Sequence, residues 1–139
     1  MQFTAGNEKI LIEKIYKLLE GKLEAGFRIG LVGDLGAGKT TLVAGILKKM
    51  GLKEPVTSPT FTLRKIYSLK SGLKIQHIDL YRHEKSAPAR EIEEWLGEND
   101  YLTFVEWPEN LSNFSAFFDL IIKIKPTGQT SRKVTLLWR

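Results

Sequence analysis

The chain has 139 residues, a length that suits one domain with a real core and leaves little room for a second domain closing over a substrate. Its apolar fraction of 42% and charged fraction of 27% are ordinary for a soluble globular protein, and the absence of cysteine excludes disulfides and thiolate metal sites. The formal charge of +5 gives a mild attraction to phosphate-rich partners, although Lys and Arg are scattered and form no RNA-binding signature.

The opening of the chain has neither the basic nor the apolar region of a signal peptide. No stretch approaches the ~18 consecutive apolar residues of a membrane helix. We therefore expect a cytoplasmic protein with no membrane association.

The first helix is predicted from Glu8 to about Leu19, where apolar side chains recur at helical spacing. Asn7 is placed to cap its N terminus and Gly21 to end it. We expect this helix to contribute mainly to packing of the core. The segment from Phe3 to Asn7 before it is a candidate for contact with a nucleotide base.

A glycine-rich stretch follows the predicted buried strand Phe27–Val32 and precedes an amphipathic helix that runs from Lys39 to Met50. It has the pattern G-x-x-x-x-G-K-[ST], in which backbone N–H groups and the helix N terminus surround a di- or triphosphate. An ordinary glycine-rich turn is the alternative, but a turn needs neither Lys39 nor Thr40. The predicted nucleotide-binding residues are Asp34, Leu35, Gly36, Ala37, Gly38, Lys39, Thr40 and Thr41.

Within this loop Lys39 is expected to reach the outer phosphates, and the Thr40 hydroxyl to hold a magnesium ion that bridges them. Asp34 is unusual because a carboxylate inside an anion-binding concavity would repel phosphate. We expect the Asp34 side chain to point outward.

The segment after this helix, from Lys53 to Thr62, contains two prolines and four hydroxyl residues. In phosphate-loop proteins such a segment commonly returns to the nucleotide, where a hydroxyl can sense the terminal phosphate and its magnesium. Ser58 and Thr60 are therefore candidate switch residues. The alternative, that their hydroxyls only bond the local backbone of a turn, remains open.

Two extended stretches, Phe61 to Leu69 and Leu73 to Asp79, predict a hairpin with a short glycine-containing turn. Asp79 lies where the second strand meets a loop, so its carboxylate could bind magnesium through water or order an attacking water. His77 is either a packing residue or part of the site. Arg82 could stabilise transition-state charge or form a structural salt bridge.

Ala87 to Trp95 is predicted as an acidic helix with Gly97 at its end. The strand Tyr101 to Pro108 is apolar until it reaches Glu106, and an acid at this place can hold a magnesium-bound water or polarise the nucleophile. Glu106 is therefore the second candidate catalytic residue, while Trp107 is expected in the core. Two further strands are predicted, at Leu120 to Lys125 and Lys133 to Trp138.

Four ordered segments together resemble the bacterial TsaE (YjeE) family of small ATPases required for threonylcarbamoyladenosine synthesis on tRNA. The resemblance spans about residues 4 to 110 and rests on Gly33-Asp34-Leu35-Gly36-Ala37-Gly38-Lys39-Thr40-Thr41, Ser58-Pro59-Thr60-Phe61, His77-Ile78-Asp79-Leu80-Tyr81-Arg82 and Val105-Glu106-Trp107-Pro108.

The resemblance implies an ATP- and Mg²⁺-dependent ATPase that binds TsaB-like and TsaD-like subunits, whose hydrolysis supports repeated cycles of tRNA modification. Contact with tRNA itself would be indirect or weak. By motif position the phosphate and magnesium roles fall on Gly36 to Thr41, the acidic site residues are Asp79 and Glu106, and the Ser58–Phe61 segment is a switch-like loop.

The predicted fold is a single α/β P-loop domain spanning residues 1–139, with a mostly parallel central sheet extended by antiparallel strands and flanked by helices. ATP is favoured over GTP because the chain has no Asn-Lys-x-Asp stretch. The predicted catalytic residues are Lys39, Glu106 and Asp79, and the predicted metal residues are Thr40 and Glu106. A small-molecule kinase and a non-catalytic ATP-gated binding module are the alternative functions.

Overall fold

The computed structural model describes residues 1–59, 61–84 and 87–139, and within them seven strands and three α-helices form an α/β fold. In chain order these elements are β1 (Gln2–Ala5), α1 (Glu8–Leu18), β2 (Arg28–Val32), α2 (Lys39–Lys49), β3 (Arg64–Ser68), β4 (Lys74–Asp79), α3 (Arg90–Gly97), β5 (Tyr101–Glu106), β6 (Leu120–Pro126) and β7 (Arg132–Trp138). Two 3₁₀ turns, Pro108–Asn110 and Phe114–Phe117, lie between β5 and β6.

The seven strands form one mixed sheet in the order β1-β7-β6-β2-β5-β4-β3. Its centre is parallel, because β2 pairs in parallel with both β5 and β6, and β4 pairs in parallel with β5. Antiparallel strands extend it at both sides, β3 on one edge and β7 followed by β1 on the other. The predicted α/β fold, with antiparallel strands added to a parallel centre, is confirmed.

Apolar side chains fill both faces of the sheet. One buried cluster lies with α1 and α2 and includes Ile15, Leu47 and Phe104, whereas a second lies with α3 and the 3₁₀ turns and includes Leu96, Val105 and Phe118. Successive residues of a strand face opposite sides. Because Phe104 faces α1 and α2, Glu106, two positions later at the end of β5, lies on the same face, near the N terminus of α2.

The ends of several elements differ from the prediction. The segment from Phe3 to Asn7 contributes to the edge strand β1, which pairs antiparallel with β7 and lets Phe3 pack on the core, and its contact with a nucleotide base stays a prediction. β3 begins at Arg64 rather than Phe61, because residues 61–63 form a turn in which Leu63 has a φ of 64°. Asn7 caps α1 as predicted, since its side chain accepts a hydrogen bond from the N–H of Ile10 at 2.9 Å.

None of the helices in the described part of the chain is both long and apolar enough to cross a lipid bilayer.

Candidate active site

A cleft of about 360 Å³ opens where the carboxyl ends of the parallel strands meet the N terminus of α2. In open α/β sheets this edge is the usual position of a ligand site. The cleft is lined by Glu8, Leu35, Gly36, Gly38, Lys39, Thr40, Thr41, Ser58, Asp79, Tyr81, Glu106 and Trp107. The structure therefore brings most of the residues singled out in the sequence to one place.

The loop before α2 is shaped by two glycines. A Cβ on Gly33 would lie 2.8 Å from the carbonyl oxygen of Ile124, so the backbone can approach β6 only without a side chain. Gly38 has a φ of 107° and forms the N-cap of α2. The first N–H groups of a helix have no partner within it and carry a partial positive charge. This loop therefore presents backbone donors to an anion in the cleft.

Lys39, the first residue of α2, is 5% exposed, and its ammonium group remains within the loop. Its Nζ donates hydrogen bonds to the carbonyl oxygens of Gly33 and, at 3.1 Å, Asp34, and lies 4.3 Å from the ring centroid of Trp107. Burial lowers the pKa of Lys39, and nearby carboxylates, chiefly Glu106, oppose that shift. A phosphate in the cleft would add negative charge and stabilise the ammonium form further.

The carboxylate of Glu106 is the centre of a buried hydrogen-bond network. The Thr40 hydroxyl is 2.9 Å from Oε1 and 2.8 Å from Oε2 of this side chain. The Nε2 of His77 lies 2.6 Å from the same Oε2. His77 is fully buried and Glu106 is 3% exposed. The acid is therefore held by one group from α2 and one from β4.

Asp79 ends β4 beside Glu106, because the two residues are paired in the parallel register of β4 and β5. Its Oδ2 accepts a hydrogen bond from the Ser58 hydroxyl at 2.8 Å, and its Oδ1 accepts one from the N–H of Tyr81 at 2.9 Å. Ser58 thus connects the proline-containing segment to a cleft acid. The other predicted switch residue, Thr60, lies outside the described residues.

Two predictions about individual side chains have clear outcomes. Asp34 is exposed and lines a neighbouring depression with Lys123 and Lys133, which agrees with its expected outward position. Trp107 lies in the cleft rather than wholly in the core. Its backbone has a φ of 59°, and its ring centroid is 5.1 Å from that of Tyr81, so the chain turns sharply after β5 and brings the indole over the site.

Arg82 is exposed, and its guanidinium carbon lies 5.0 Å from the ring centroid of Phe61. The contact observed is therefore with an aromatic ring rather than with an acid. In the described residues no group of three or more His, Cys, Asp or Glu side chains is arranged to hold a metal ion. A metal in this cleft would need ligands from other oxygen groups or from a bound phosphate.

Comparison with known proteins identifies the family. A family model described as threonylcarbamoyl adenosine biosynthesis protein TsaE matches residues 7–134. The chain belongs to the TsaE family. The resemblance predicted from the four motifs is confirmed, and the match extends past residue 110 into β6 and β7.

Curated relatives named tRNA threonylcarbamoyladenosine biosynthesis protein TsaE include one from Aquifex aeolicus, 39% identical over 91% of this chain and 85% of the relative. Another, from Bacillus subtilis, is 34% identical over 87% of this chain and 75% of the relative. Among solved structures, YdiB of Bacillus subtilis superposes with a TM-score of 0.69 at 28% identity, covering 98% of this chain and 83% of that one.

One residue that supports the loop of this TsaE-family chain has no signal in the sequence motifs. Arg132, at the start of β7, is 9% exposed, and its Nε donates a hydrogen bond to the carbonyl oxygen of Ala37 at 3.0 Å. Its NH1 group donates to the carbonyl oxygens of Ser131 at 2.9 Å and Gly128 at 3.4 Å. Arg132 therefore connects the glycine-rich loop before α2 to β7 of the sheet.

We expect Arg132→Gln to lower the free energy of unfolding by roughly 1–3 kcal/mol, because it removes a buried charged donor from a backbone carbonyl. Amide hydrogen exchange should speed up more at Ala37 and Gly38, just before α2, than within α2 itself. The matched control is Lys133→Gln, whose exposed side chain should matter by less than about 0.5 kcal/mol. Equal losses of stability in the two variants, measured by denaturant unfolding, would contradict a specific role for Arg132.

Proposed function

We propose that this chain is an ATP-hydrolysing subunit that supports the synthesis of threonylcarbamoyladenosine in tRNA. The observation that carries the proposal is the junction of Thr40 and Glu106, whose hydroxyl and carboxylate oxygens are 2.8 to 2.9 Å apart at the mouth of the phosphate-binding loop. Phosphate-loop NTPases place a hydroxyl and a strand-end acid together in this way. Membership of the TsaE family supplies the biological context.

The cleft suits the phosphates of a nucleotide. Residues 33–41 offer backbone N–H groups, and the Lys39 ammonium is already held above them by two carbonyl oxygens of the loop. On binding, Lys39 would exchange these carbonyls for phosphate oxygens, which carry more negative charge and form stronger hydrogen bonds with an ammonium. Leu35, which is exposed, and the aromatic rings of Tyr81 and Trp107 add apolar surface to the lining of the cleft.

The residues present fit a magnesium ion. Mg²⁺ prefers oxygen ligands and is usually held by one or two carboxylates together with substrate phosphates and water. Thr40 and Glu106 are the residues that would hold it, with Asp79 directly beside Glu106. When bound, the ion neutralises charge that develops on the phosphates during transfer.

The protein's own groups have distinct roles in the proposed hydrolysis. Lys39 and the amides of the loop stabilise negative charge on the phosphate oxygens while water attacks the terminal phosphorus and the bond to the bridging oxygen breaks. Glu106, fixed by Thr40 and His77, or Asp79, fixed by Ser58 and the N–H of Tyr81, orients that water. Ser58 would then report the state of the terminal phosphate to its own segment through Asp79.

We further propose that the partners are TsaB-like and TsaD-like subunits, that hydrolysis allows them to act repeatedly, and that tRNA contacts this chain only indirectly. The isolated chain should hydrolyse ATP slowly. A small domain supplies few groups to surround the transition state, so a partner would order or complete the site.

The test reconstitutes tRNA modification with limiting amounts of the partner subunits. Phosphate release from labelled ATP is measured in the same reactions. We expect phosphate to be released without any added acceptor. We also expect several rounds of modification only when ATP is hydrolysed. Modification over many rounds without phosphate release would favour the ATP-gated binding module. Transfer of the labelled phosphate to a small molecule would favour a kinase.

A further inference from the structure

We propose that His77 is a positioning residue, whose imidazole Nε2–H holds the Glu106 carboxylate in the orientation that the magnesium site needs. The inference rests on the proposed function, because it assigns a role within the same site. Neither the loop motif nor the strand-end acids require a histidine at this place.

The register of the sheet brings His77 to Glu106. In the parallel pairing of β4 and β5, His77 lies opposite Phe104 and Asp79 lies opposite Glu106. His77 and Glu106 are therefore diagonal neighbours on the face that looks toward α2, close enough for long side chains to meet. The distance from Nε2 to Oε2 is 2.6 Å, and the imidazole is fully buried.

The chemistry of the contact determines which nitrogen of His77 carries a proton. An ionised carboxylate only accepts hydrogen bonds, so at 2.6 Å a proton must lie on Nε2 to avoid two facing lone pairs. Nδ1 of His77 has no hydrogen-bond partner among the described residues. A proton on Nε2 therefore satisfies the contact with Glu106.

The two donors to Glu106 come from different elements, Thr40 from α2 and His77 from β4. Oε2 is within hydrogen-bond distance of both His77 and Thr40, whereas for Oε1 the contact seen among the described residues is with Thr40. If Thr40 engages a metal ion, His77 is the contact that still holds the carboxylate in place. A histidine that only filled space in the core would not need to direct a ring nitrogen at the carboxylate of Glu106.

A pair of variants separates positioning from packing. His77→Gln can place an amide donor near the position of Nε2, whereas the shorter side chain of His77→Asn places its donor near Nδ1 and cannot reach Glu106. His83→Asn is the matched control, because His83 is the other histidine of the chain and does not contact Glu106. ADP affinity with and without Mg²⁺, and the Mg²⁺ dependence of phosphate release, are measured for each.

For His77→Asn we expect the Mg²⁺ concentration for half-maximal effect to rise about 10-fold or more, as is common when the partner of a metal ligand is lost. Its ADP affinity in the presence of a chelator should stay within about 2-fold of wild type, because metal-free binding does not use Glu106. His77→Gln and His83→Asn should retain most of the wild-type Mg²⁺ response. Equal losses in the Gln and Asn variants would show that His77 only packs, and would overturn the proposal.

A spectroscopic measurement on the unmodified protein keeps the proposal testable if a variant does not fold. Long-range ¹H–¹⁵N correlation spectra distinguish the tautomers of histidine, and the spectrum of His83→Asn assigns the two rings. We expect a proton on Nε2 of His77, and a ring with no proton on Nε2 would overturn the proposal. If wild type releases no phosphate, the proposed hydrolysis fails, while Mg²⁺-dependent ADP binding still tests the role of His77.

Discussion

Lys39→Met is expected to lower the rate of ATP hydrolysis by about 10²–10³-fold, the range seen when one charge-stabilising donor is removed from a pre-organised site. The ammonium group is largely excluded from water and lies at the N terminus of α2, so its field acts on the phosphates with little screening. Rounds of tRNA modification beyond the first should fall in parallel. Phosphate release and modification assays measure the two effects.

Loss of folding would not explain this result. Burial lowers the pKa of Lys39, which means that the folded protein disfavours its charged form relative to the unfolded chain. This penalty is fully present at pH values below the lowered pKa and is relieved as the pH rises through it. Methionine has a similar length and no charge, so relief of this penalty opposes the loss of the hydrogen bonds to the carbonyl oxygens of Gly33 and Asp34, and we expect the melting temperature to stay close to that of wild type.

The matched control is Lys48→Met, which changes an exposed lysine on the same helix. It should leave hydrolysis, modification and stability close to wild type. If Lys39→Met still supported many rounds of modification at the wild-type rate, the energy-coupling role of ATP would be wrong.

Glu106→Gln is the second change with a large expected effect, a loss of about 10²–10³-fold in hydrolysis, within the range for a lost acid–base or water-orienting group. Glutamine nearly preserves the shape but replaces an acceptor by an amide that carries its own donor. Both carboxylate oxygens of Glu106 accept hydrogen bonds from the Thr40 and His77 side chains. The glutamine amide has one acceptor oxygen, and its NH₂ group only donates. The neutral side chain also removes one charge from the proposed magnesium site.

Nucleotide binding should respond differently from catalysis in Glu106→Gln. In the absence of metal, ADP affinity should hold or increase slightly, because a negative charge near the phosphates is gone. Glu8→Gln, which neutralises another acid at the edge of the cleft, is the control and should change hydrolysis by less than about 3-fold. If Glu106→Gln hydrolysed ATP at the wild-type rate, Asp79 would be the residue that orients the water. If Glu106→Gln lost hydrolysis but tRNA modification were unchanged, the ATP-gated binding module would be supported.

The glycine-rich loop between β2 and α2 and the general fold could be predicted because their signals are local. Residues 33–41 are contiguous, and the change from an extended apolar run to a helical stripe indicates a strand, a loop and a helix in that order. The same reasoning found the acids Asp79 and Glu106, because each ends an extended apolar run where the run meets a loop. The structure then places them side by side in the parallel register of β4 and β5. The edge strand β1 was missed because four residues give too short a pattern to distinguish from a loop.

Contiguous residues alone indicate a glycine-rich loop between a buried strand and a helix, and an acid at the end of each of two strands. The groups that support this loop and these acids become apparent only in the folded chain. The contact of Thr40 with Glu106 spans 66 residues, that of His77 with Glu106 spans 29, and that of Arg132 with Ala37 spans 95. Contacts of this kind depend on strand order and register, which arise from packing of the whole sheet and leave no local periodicity in the chain.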